Sequence, residues 1–339
     1  MPSSSAATLP GDPPDRHAWT AAGESAVLCD LTPLSVLSIA GSDAETFLQG
    51  QLSNDVKRLA PGQWQATTFN SAKGRVLANF LLWREGNGFG ALIPRDVADP
   101  VRKRLSMYVL RSKVTLTDAS PSWVRYGLAG PSSKVILDAH FGAAPAMQAM
   151  MEAGGSRILG LGAGRWVILT PVADANVTET ALSRHAGPTS FNLWQWLAIR
   201  AGEPMVTAAT QDQFVLQAAN LDALNGVSFD KGCYTGQEII ARTQYLGRLK
   251  ERLFGWHAPI ASVEPGSKLY SHVFGEQSCG MVVNAAPGPD GGVDLLAVVQ
   301  IGAVDAGDVR IGSSQGPLLE PIALPYAVPQ PSAPPRRLA

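Results

Sequence analysis

After residue 252 the chain changes character, and this change constrains the fold more than any other feature of the sequence. Short β-prone runs at residues 253–256, 268–270, 280–284 and 294–299 are separated by clusters of Gly and Pro. Short strands between such turn-forming clusters are typical of a small antiparallel barrel or sandwich. We therefore predict a domain boundary near residue 250, a β domain over residues 250–325, and a loose Pro-rich tail over residues 326–339.

Upstream of this boundary, strands and helices mix without a strict βαβ alternation, which predicts an α+β region over residues 25–249. Lys73-Gly74 is the expected turn of a hairpin, and Ser42 or Asp43 can cap the first helix. Residues 1–24, rich in Ser, Ala, Pro and Asp, are predicted to be a disordered tail. The predicted strands lie at residues 36–39, 65–69, 75–83, 113–116 and 124–128, and the predicted helices at residues 44–52, 100–108 and 191–202.

Charge and composition argue against several classes of protein. Lys plus Arg (27) nearly balances Asp plus Glu (28), so no global field draws the chain to nucleic acid or to an anionic membrane. No run reaches the roughly 18 consecutive apolar residues of a membrane helix. A GxGxxG after a strand and a GxxxxGK[ST] are both absent from the sequence, which argues against a Rossmann domain and a P-loop nucleotidase.

The N-terminal stretch and the cysteines indicate a cytoplasmic protein. The first residues carry Asp12 and Asp15, and they have neither the apolar core of a signal peptide nor the Arg-rich composition of a transit peptide. Cys29, Cys233 and Cys279 are odd in number and far apart. They are therefore expected to be free thiols in a reducing compartment.

The segment KGCYTGQE, residues 231–238, is the candidate for chemistry. A short strand is expected to end at Phe229, and a helix is expected over residues 237–243. Cys233 then lies just before the positive end of this helix and close to Lys231, and both stabilise a thiolate. Judged on these residues alone, a structural or incidental cysteine is the more frequent explanation.

The same segment offers groups for binding a ligand. Free backbone N–H groups at the start of the helix can hold a carboxylate or a phosphate. Gln237 and Glu238 can hydrogen-bond a flat, amide-like heterocycle.

The octapeptide KGCYTGQE resembles the signature of the YgfZ family, the folate-binding proteins related to the T-protein of glycine cleavage. The resemblance extends from about residue 30 to residue 255, with a weaker β-rich match to about residue 320. Four further segments carry it: IAGSDAETFLQGQLSNDV (39–56), FNSAKGRVLANFLLW (69–83), RAGEPMV (200–206) and FVLQAANLD (214–222).

The resemblance implies a T-protein-like fold of three domains in a ring, with two mixed α+β domains and a C-terminal antiparallel β-barrel. It implies that tetrahydrofolate or a derivative binds, and that the protein assembles or maintains iron–sulfur clusters, notably for tRNA-modifying enzymes. The implied partners are iron–sulfur assembly proteins and their client enzymes. Nucleic acid and membrane are not expected to be direct partners.

The resemblance also assigns roles to individual residues. Cys233 would be the essential thiol and Lys231 its neighbour in the signature. The candidate folate-binding residues are Gln237, Glu238, Arg242, Trp194 and Leu34. Trp194 lies in the helix where the family has a tryptophan beside the folate, although a core tryptophan explains its position equally well without the resemblance. Two positions depart from the family, since Leu34 replaces a tryptophan and Leu216 stands where proline is usual.

Whether the chain transfers a one-carbon unit depends on two positions. The T-protein has a pair of aspartates in the element that resembles residues 74–80, and Ala78 and Asn79 occupy those positions here. An amide cannot accept a proton near neutral pH as a carboxylate does, so the ancestral reaction is expected to be lost or weakened. The resemblance therefore favours an accessory protein, and a folate-dependent aminomethyltransferase or demethylase is the alternative.

The chemical role of Cys233 stays open between a transient metal or cluster ligand, thiol exchange and redox sensing. The sequence has no CxxC and no His beside Cys233 that would complete a metal site. His257 and His272 are expected to be solvated or hydrogen-bonded residues of the C-terminal domain. Cys29 and Cys279 are expected to be small core hydrophobes.

Overall fold

The computed structural model describes residue 14, residues 16–245 and residues 249–329. In chain order the helices are α1 (Arg16–Glu24), α2 (Ala44–Gln49), α3 (Arg95–Ser106), α4 (Ser133–Phe141), α5 (Ala175–Ser183), α6 (Phe191–Arg200), α7 (Gln237–Tyr245) and α8 (Ile301–Ala306). The strands are β1 (Val27–Asp30), β2 (Leu34–Ala40), β3 (Trp64–Asn70), β4 (Val76–Glu85), β5 (Gly88–Pro94), β6 (Thr115–Asp118), β7 (Trp123–Ala129), β8 (Met150–Ala153), β9 (Ser156–Gly162), β10 (Arg165–Pro171), β11 (Gly187–Thr189), β12 (Glu251–Ala258), β13 (Lys268–Tyr270), β14 (Gly280–Pro287), β15 (Val293–Gln300), β16 (Arg310–Ile311) and β17 (Glu320–Ile322).

The chain divides into two compact units, and the first comprises residues 1–33 and 120–197. Its sheet has the order β11-β1-β7-β10-β9-β8. The pair β1–β11 is parallel and the other pairs are antiparallel. Alternate side chains of these strands form a core with α4 and α5, in which Leu128, Leu137, Ile158 and Leu182 are fully buried.

The second unit comprises residues 34–119 and 198–339. All five strands of its first sheet lie within residues 34–118. This sheet has the order β3-β4-β5-β2-β6, with antiparallel neighbours throughout. The predicted hairpin is confirmed, because β3 and β4 pair across the Lys73-Gly74 turn with Thr67 opposite Phe80. Helices α2 and α3 cover one face and share a core with residues such as Phe69 and Leu82.

The other sheet of the second unit confirms the antiparallel strands that were predicted after residue 252 from the clusters of Gly and Pro. Its order is β16-β13-β14-β15-β12-β17, and the sheet is antiparallel and curled like half a barrel. The central strand β15 is buried over most of its length because both of its faces are covered. Val282, Leu295, Ala297 and Val299 lie at the centre of this core.

Several local predictions differ from the structure. Part of the predicted N-terminal tail forms α1, which packs against β1 and β11. The Asp43 side chain does not cap α2; it accepts a hydrogen bond from the backbone N–H of Lys113 instead. Helix α2 ends three residues early at Gln49, and α3 begins five residues early at Arg95, with Pro100 inside it.

The predicted C-terminal tail is partly anchored. The hydroxyl group of Tyr326 donates to the carbonyl oxygen of Gly202 at 2.7 Å, and its ring lies where a Cβ on Gly202 would be. Burial raises the pKa of Tyr326 to about 12. Residues 1–13, 15 and 330–339 of the two predicted tails lie outside the described residues. Over residues 16–245 and 249–329, no helix has the length and apolar character needed to cross a bilayer.

Candidate functional site around Cys233

Lys231 anchors the cysteine loop by hydrogen bonds to three backbone carbonyl groups. Its Nζ donates to the carbonyl oxygens of Gln49 at 2.8 Å, Leu52 at 2.7 Å and Asn54 at 2.8 Å. An ammonium group has three N–H donors, so all three are used. The segment at 39–56 and the segment at 231–238, which the sequence presents about 180 residues apart, therefore meet at this lysine.

The environment of Lys231 shows that it holds the loop in place. The side chain is buried, and burial lowers the pKa of its ammonium to about 8, with the charge of Asp55 opposing part of that shift. The ammonium also lies 5.1 Å from the centre of the Tyr234 ring, within the range of a cation–π contact. A hydrogen bond from Lys231 to the Cys233 thiolate would require one of its carbonyl bonds to break.

Cys233 is exposed between two residues whose side chains point inward. Lys231 and Tyr234 are buried, whereas Gly232 and Cys233 are exposed. Burial raises the pKa of the Tyr234 hydroxyl far above its usual value, so this group stays neutral. The thiol of Cys233 is consequently presented to solvent by a loop that is held on both sides.

The other two cysteines lie in cores, as expected for small apolar residues. Cys29 and Cys279 are both buried. Burial raises the pKa of the Cys279 thiol to about 11 and raises that of Cys29 further. Cys233 is thus the exposed thiol among the three.

The turn before α7 is closed by Gln237. The N–H of Gln237 donates to the carbonyl oxygen of Tyr234 at 3.2 Å, and the N–H of Tyr234 donates back to the Gln237 Oε1 at 3.3 Å. This reciprocal pair closes a turn directly before α7, which begins at the predicted residue, Gln237. Part of the hydrogen-bonding capacity of Gln237 is therefore used within the loop, and its contact with a folate stays a prediction.

The prediction of a strand that ends at Phe229 is wrong. Residues 226–230 are irregular, because their backbone bonds to Ser53 instead of to a neighbouring strand. The Ser53 hydroxyl donates to the carbonyl oxygen of Gly226 at 2.6 Å, and the N–H of Ser228 donates to the carbonyl oxygen of Ser53 at 3.1 Å. These bonds add a second anchor for the loop.

Two glycines bring the Lys73-Gly74 turn against the cysteine loop. Gly74 and Gly236 have φ of 68° and 81°, a region that glycine adopts freely. A Cβ on Gly236 would lie 2.9 Å from the Cα of Gly74 and 2.5 Å from the carbonyl oxygen of Ser71. A Cβ on Gly74 would lie 2.9 Å from the Cβ of Ile239. A third segment of the resemblance, residues 69–83, therefore joins the other two at this place.

The remaining candidates of the second unit have different surroundings. Glu238 and Arg242 are exposed, and they lie four residues apart on α7, which places them on one face of the helix. Leu34 is the buried first residue of β2 and pairs with Pro94. Leu216 is fully buried.

Trp194 belongs to the first unit and is a core residue there. It lies in α6, is 5% exposed, and its ring covers Gly127 of β7. A Cβ on Gly127 would lie 2.5 Å from the indole ring, so this strand position has to be glycine for the ring to fit. In the structure Trp194 is a core residue, and a contact between Trp194 and folate stays a prediction.

Asn79 uses both ends of its amide on the backbone of one segment. Its Nδ2 donates to the carbonyl oxygen of Pro204 at 2.7 Å, and its Oδ1 accepts from the N–H of Val206 at 2.8 Å. Neighbouring Ala78 is fully buried in the core of the five-stranded sheet. The amide that replaces a T-protein aspartate in the resemblance thus has a structural role that a carboxylate cannot perform.

Asn284 of β14 completes this arrangement and was not identified from the sequence. Its Oδ1 accepts from the N–H of Met205 at 2.8 Å, and its Nδ2 donates to the carbonyl oxygen of Met205 at 2.9 Å. Residues 204–206 are therefore held by Asn79 from the five-stranded sheet and by Asn284 from the C-terminal sheet. No local pattern marks Asn284, because its partner lies 79 residues away.

The segment at 214–222 ties the cysteine helix to the C-terminal sheet. Gln217 Nε2 donates to the carbonyl oxygen of Ile240 in α7 at 2.8 Å, and Asn220 Nδ2 donates to that of Leu253 in β12 at 2.9 Å. Arg252 forms a buried ion pair with Asp222 at 2.8 Å. This segment is one of those that resemble the family, and in the structure its side chains join α7 to the C-terminal sheet.

We expect Asn79→Asp to lower the free energy of unfolding by about 2 kcal/mol, because an ionised carboxylate loses the donor to Pro204 and repels that carbonyl oxygen. Urea denaturation measures the change. Asn87→Asp is the matched control, since Asn87 is exposed in the turn between β4 and β5. Equal stability of the two variants would contradict the assigned role of the Asn79 amide.

The two histidines are hydrogen-bonded, as expected. His257 Nδ1 lies 2.8 Å from Asp294 Oδ1, and the His272 ring bonds the Asp308 carboxylate. Contacts with Ser271 and His272 lower the pKa of Asp308 to about 2. Among the described residues no group of three or more His, Cys, Asp and Glu side chains is arranged to hold a metal ion.

The sequence of this chain is similar to a known protein family and to individual known proteins. Residues 16–163 match the GCVT N-terminal domain. The chain is 34% identical over 244 residues to the tRNA-modifying protein YgfZ of Shigella boydii serotype 4, and equally so to that of Escherichia coli K12. Each alignment covers 71% of this chain and 74% of the relative.

The solved structure of the glycine cleavage system aminomethyltransferase T from Bartonella henselae has the same fold. It superposes with a TM-score of 0.75 over 93% of this chain and 90% of that protein. The sequence identity is 16%, so this likeness concerns the fold alone. The predicted T-protein-like fold is thereby confirmed.

Proposed function

This chain belongs to the family of the tRNA-modifying protein YgfZ, and we propose that it is a cytoplasmic, folate-binding accessory protein for iron–sulfur enzymes. Its clients include enzymes that methylthiolate tRNA, and its key group is the thiol of Cys233. The protein meets iron–sulfur assembly proteins and client enzymes as partners. Tetrahydrofolate or a derivative is its cofactor.

The observation that carries this proposal is the presentation of Cys233. An exposed thiol on a loop held by Lys231 and Tyr234 can reach a group on another protein without rearrangement of the loop. One thiolate supplies one ligand, whereas a cluster or metal site in a protein needs several. Cys233 therefore acts together with ligands from a partner or a small thiol, and a cluster is cargo that passes through this site.

The side chains of α7 fit the chemistry of a reduced folate. The carboxylate of Glu238 can accept hydrogen bonds from the amide-like edge of a pterin, and Arg242 can pair with the carboxylates of the glutamate tail. Gln237, Trp194 and Leu34 are the other residues that we assign to the ligand. Bound folate would supply a one-carbon carrier, and the residues of this chain would bind and orient it.

The arrangement of Asn79 favours this function over aminomethyl transfer or demethylation. A transferase of this fold needs a carboxylate near the reacting amine, and the Asn79 amide is held by the backbone at Pro204 and Val206. Incubating the pure protein with tetrahydrofolate and methylamine donors tests the alternative. Methylenetetrahydrofolate formed at an enzymatic rate would establish the alternative function.

We expect Cys233→Ala to lose at least nine-tenths of its ability to restore methylthiolated tRNA nucleosides in a deletion strain. Because Cys233 is exposed, the variant should keep its thermal unfolding midpoint and its affinity for tetrahydrofolate, measured by calorimetry. Cys279→Ala serves as the control for loss of a buried thiol. Full restoration by Cys233→Ala would show that the thiol has no such role.

A further inference from the structure

The turn that follows helix α3 exposes three apolar side chains within four residues of the chain. Leu110 is 89% exposed, Met107 67% and Tyr108 38%. Single apolar residues on a surface are ordinary, but a cluster of them marks a surface that another molecule covers. We call residues 104–113 the basic–apolar turn.

The backbone of this turn is strained at its most exposed residue. Leu110 has φ of 45°, in the left-handed region, where the Cβ approaches the following carbonyl oxygen. Glycine adopts this conformation without that contact. The backbone conformation at position 110 is therefore unfavourable for leucine. Because most of the Leu110 side chain is in solvent, burial within the chain does little to offset this cost. Strain of this kind is typical of binding sites.

The apolar residues are bordered by positive charge. Residues 101–117 contain five basic residues and no acidic one, in a chain whose net charge is −1. Arg102 and Lys103 both pair with Asp99 on the preceding helix, at 2.6 and 2.7 Å. Arg104, Arg111 and Lys113 belong to the turn itself.

The C-terminal half of the turn is held by backbone hydrogen bonds. The N–H of Lys113 donates to Asp43 Oδ2 at 2.7 Å, and the N–H of Ser112 donates to the carbonyl oxygen of Val109 at 2.8 Å. Val109 packs against the core under α3. A turn that is rigid before binding loses less conformational entropy when a partner covers it.

We propose that the basic–apolar turn is a docking surface for a partner protein that presents an apolar pocket bordered by Asp and Glu. Tyr, Met and Arg are the residue types enriched at protein interfaces, and charge complementarity favours an acidic partner. Nucleic acid fits less well, because Leu110 and Met107 are aliphatic and gain little from stacking on bases. A lipid surface fits less well, because three side chains on one turn give too little buried area for stable anchoring.

The proposal is independent of folate binding and of the Cys233 thiol, and photo-crosslinking in cells tests it. The full chain carries p-benzoylphenylalanine in place of Leu110, and a control carries it in place of Val135, which is 69% exposed on α4. We expect a protein adduct at position 110 that is absent at position 135. Mass spectrometry should map the adduct to an apolar segment flanked by acidic residues.

Binding of the protein identified in this way is then measured with purified components. We expect Arg111→Glu to weaken binding at least tenfold, and Arg184→Glu, the same charge change at an exposed position of the first unit, to leave it unchanged. Leu110→Gly should also weaken binding tenfold while raising the urea midpoint of unfolding, because glycine relieves the strain.

Four results would overturn the proposal. They are an adduct sensitive to ribonuclease, an adduct with lipid, no adduct above the control at position 135, and equal loss of binding in Arg111→Glu and Arg184→Glu. The opposite effects expected of Leu110→Gly on stability and on binding separate a docking role from a structural one.

Discussion

Lys231→Met is expected to lower the free energy of unfolding by about 3 kcal/mol, because it leaves three backbone carbonyl groups without their donor. These carbonyl groups belong to Gln49, Leu52 and Asn54. Relief of the cost of burying a charge offsets part of the loss. The stem of methionine fills the same space, so the change reports on the hydrogen bonds more than on packing.

Two variants control this measurement. Lys73→Met removes a lysine that is exposed on the neighbouring turn and should change stability by less than about 0.5 kcal/mol. Lys231→Arg keeps the charge, but a planar guanidinium cannot direct three donors as an ammonium does, so it should rescue only part of the loss. If Lys231→Met unfolded at the same urea concentration as Lys73→Met, the anchoring role of Lys231 would be wrong.

Gly236→Ala is expected to lower the free energy of unfolding by about 3 kcal/mol and to displace the cysteine loop. The positive φ disfavours alanine by about 1 kcal/mol. The added Cβ would also meet two backbone atoms, the carbonyl oxygen of Ser71 at 2.5 Å and the Cα of Gly74 at 2.9 Å, and such overpacking costs about 2 kcal/mol. Backbone atoms cannot move aside as the end of a long side chain can.

Gly232→Ala is the matched control, since it adds the same methyl group to the same loop. A Cβ on Gly232 would meet nothing within 4 Å, and Gly232 is not among the residues with positive φ. We expect its stability in urea to match that of the parent chain. If the two alanine variants unfolded alike, the close approach of Gly236 to Gly74 would not constrain the loop.

Much of the fold follows from local patterns in the sequence. The strand over β13 was predicted with its observed bounds, and the hairpin of β3 and β4 was predicted from its turn and its alternating pattern. Helix α7 begins at the predicted residue, where Gly236 adopts a positive φ and Glu238 lies in the first turn, as is typical of a helix start. These features depend on residues that are close together in the chain.

The errors share a physical cause, which is competition from a distant partner. Asp43 was a reasonable cap for α2, but its carboxylate bonds the backbone of Lys113, 70 residues away. Phe229 was expected to end a strand, but Ser53 binds that stretch of backbone. Local propensity cannot anticipate which long-range partner a polar group will find.

The sequence by itself indicated the segments that matter, namely the cysteine in KGCYTGQE, the Lys73-Gly74 turn, and the antiparallel strands after residue 250. Only the tertiary structure decided what the polar groups in those segments do. It directs the three donors of Lys231 to carbonyl groups about 180 residues away and both ends of the Asn79 amide to residues 204 and 206. The reason is that periodicity reflects burial of neighbouring residues, whereas a buried donor is satisfied by whichever acceptor the fold brings to it.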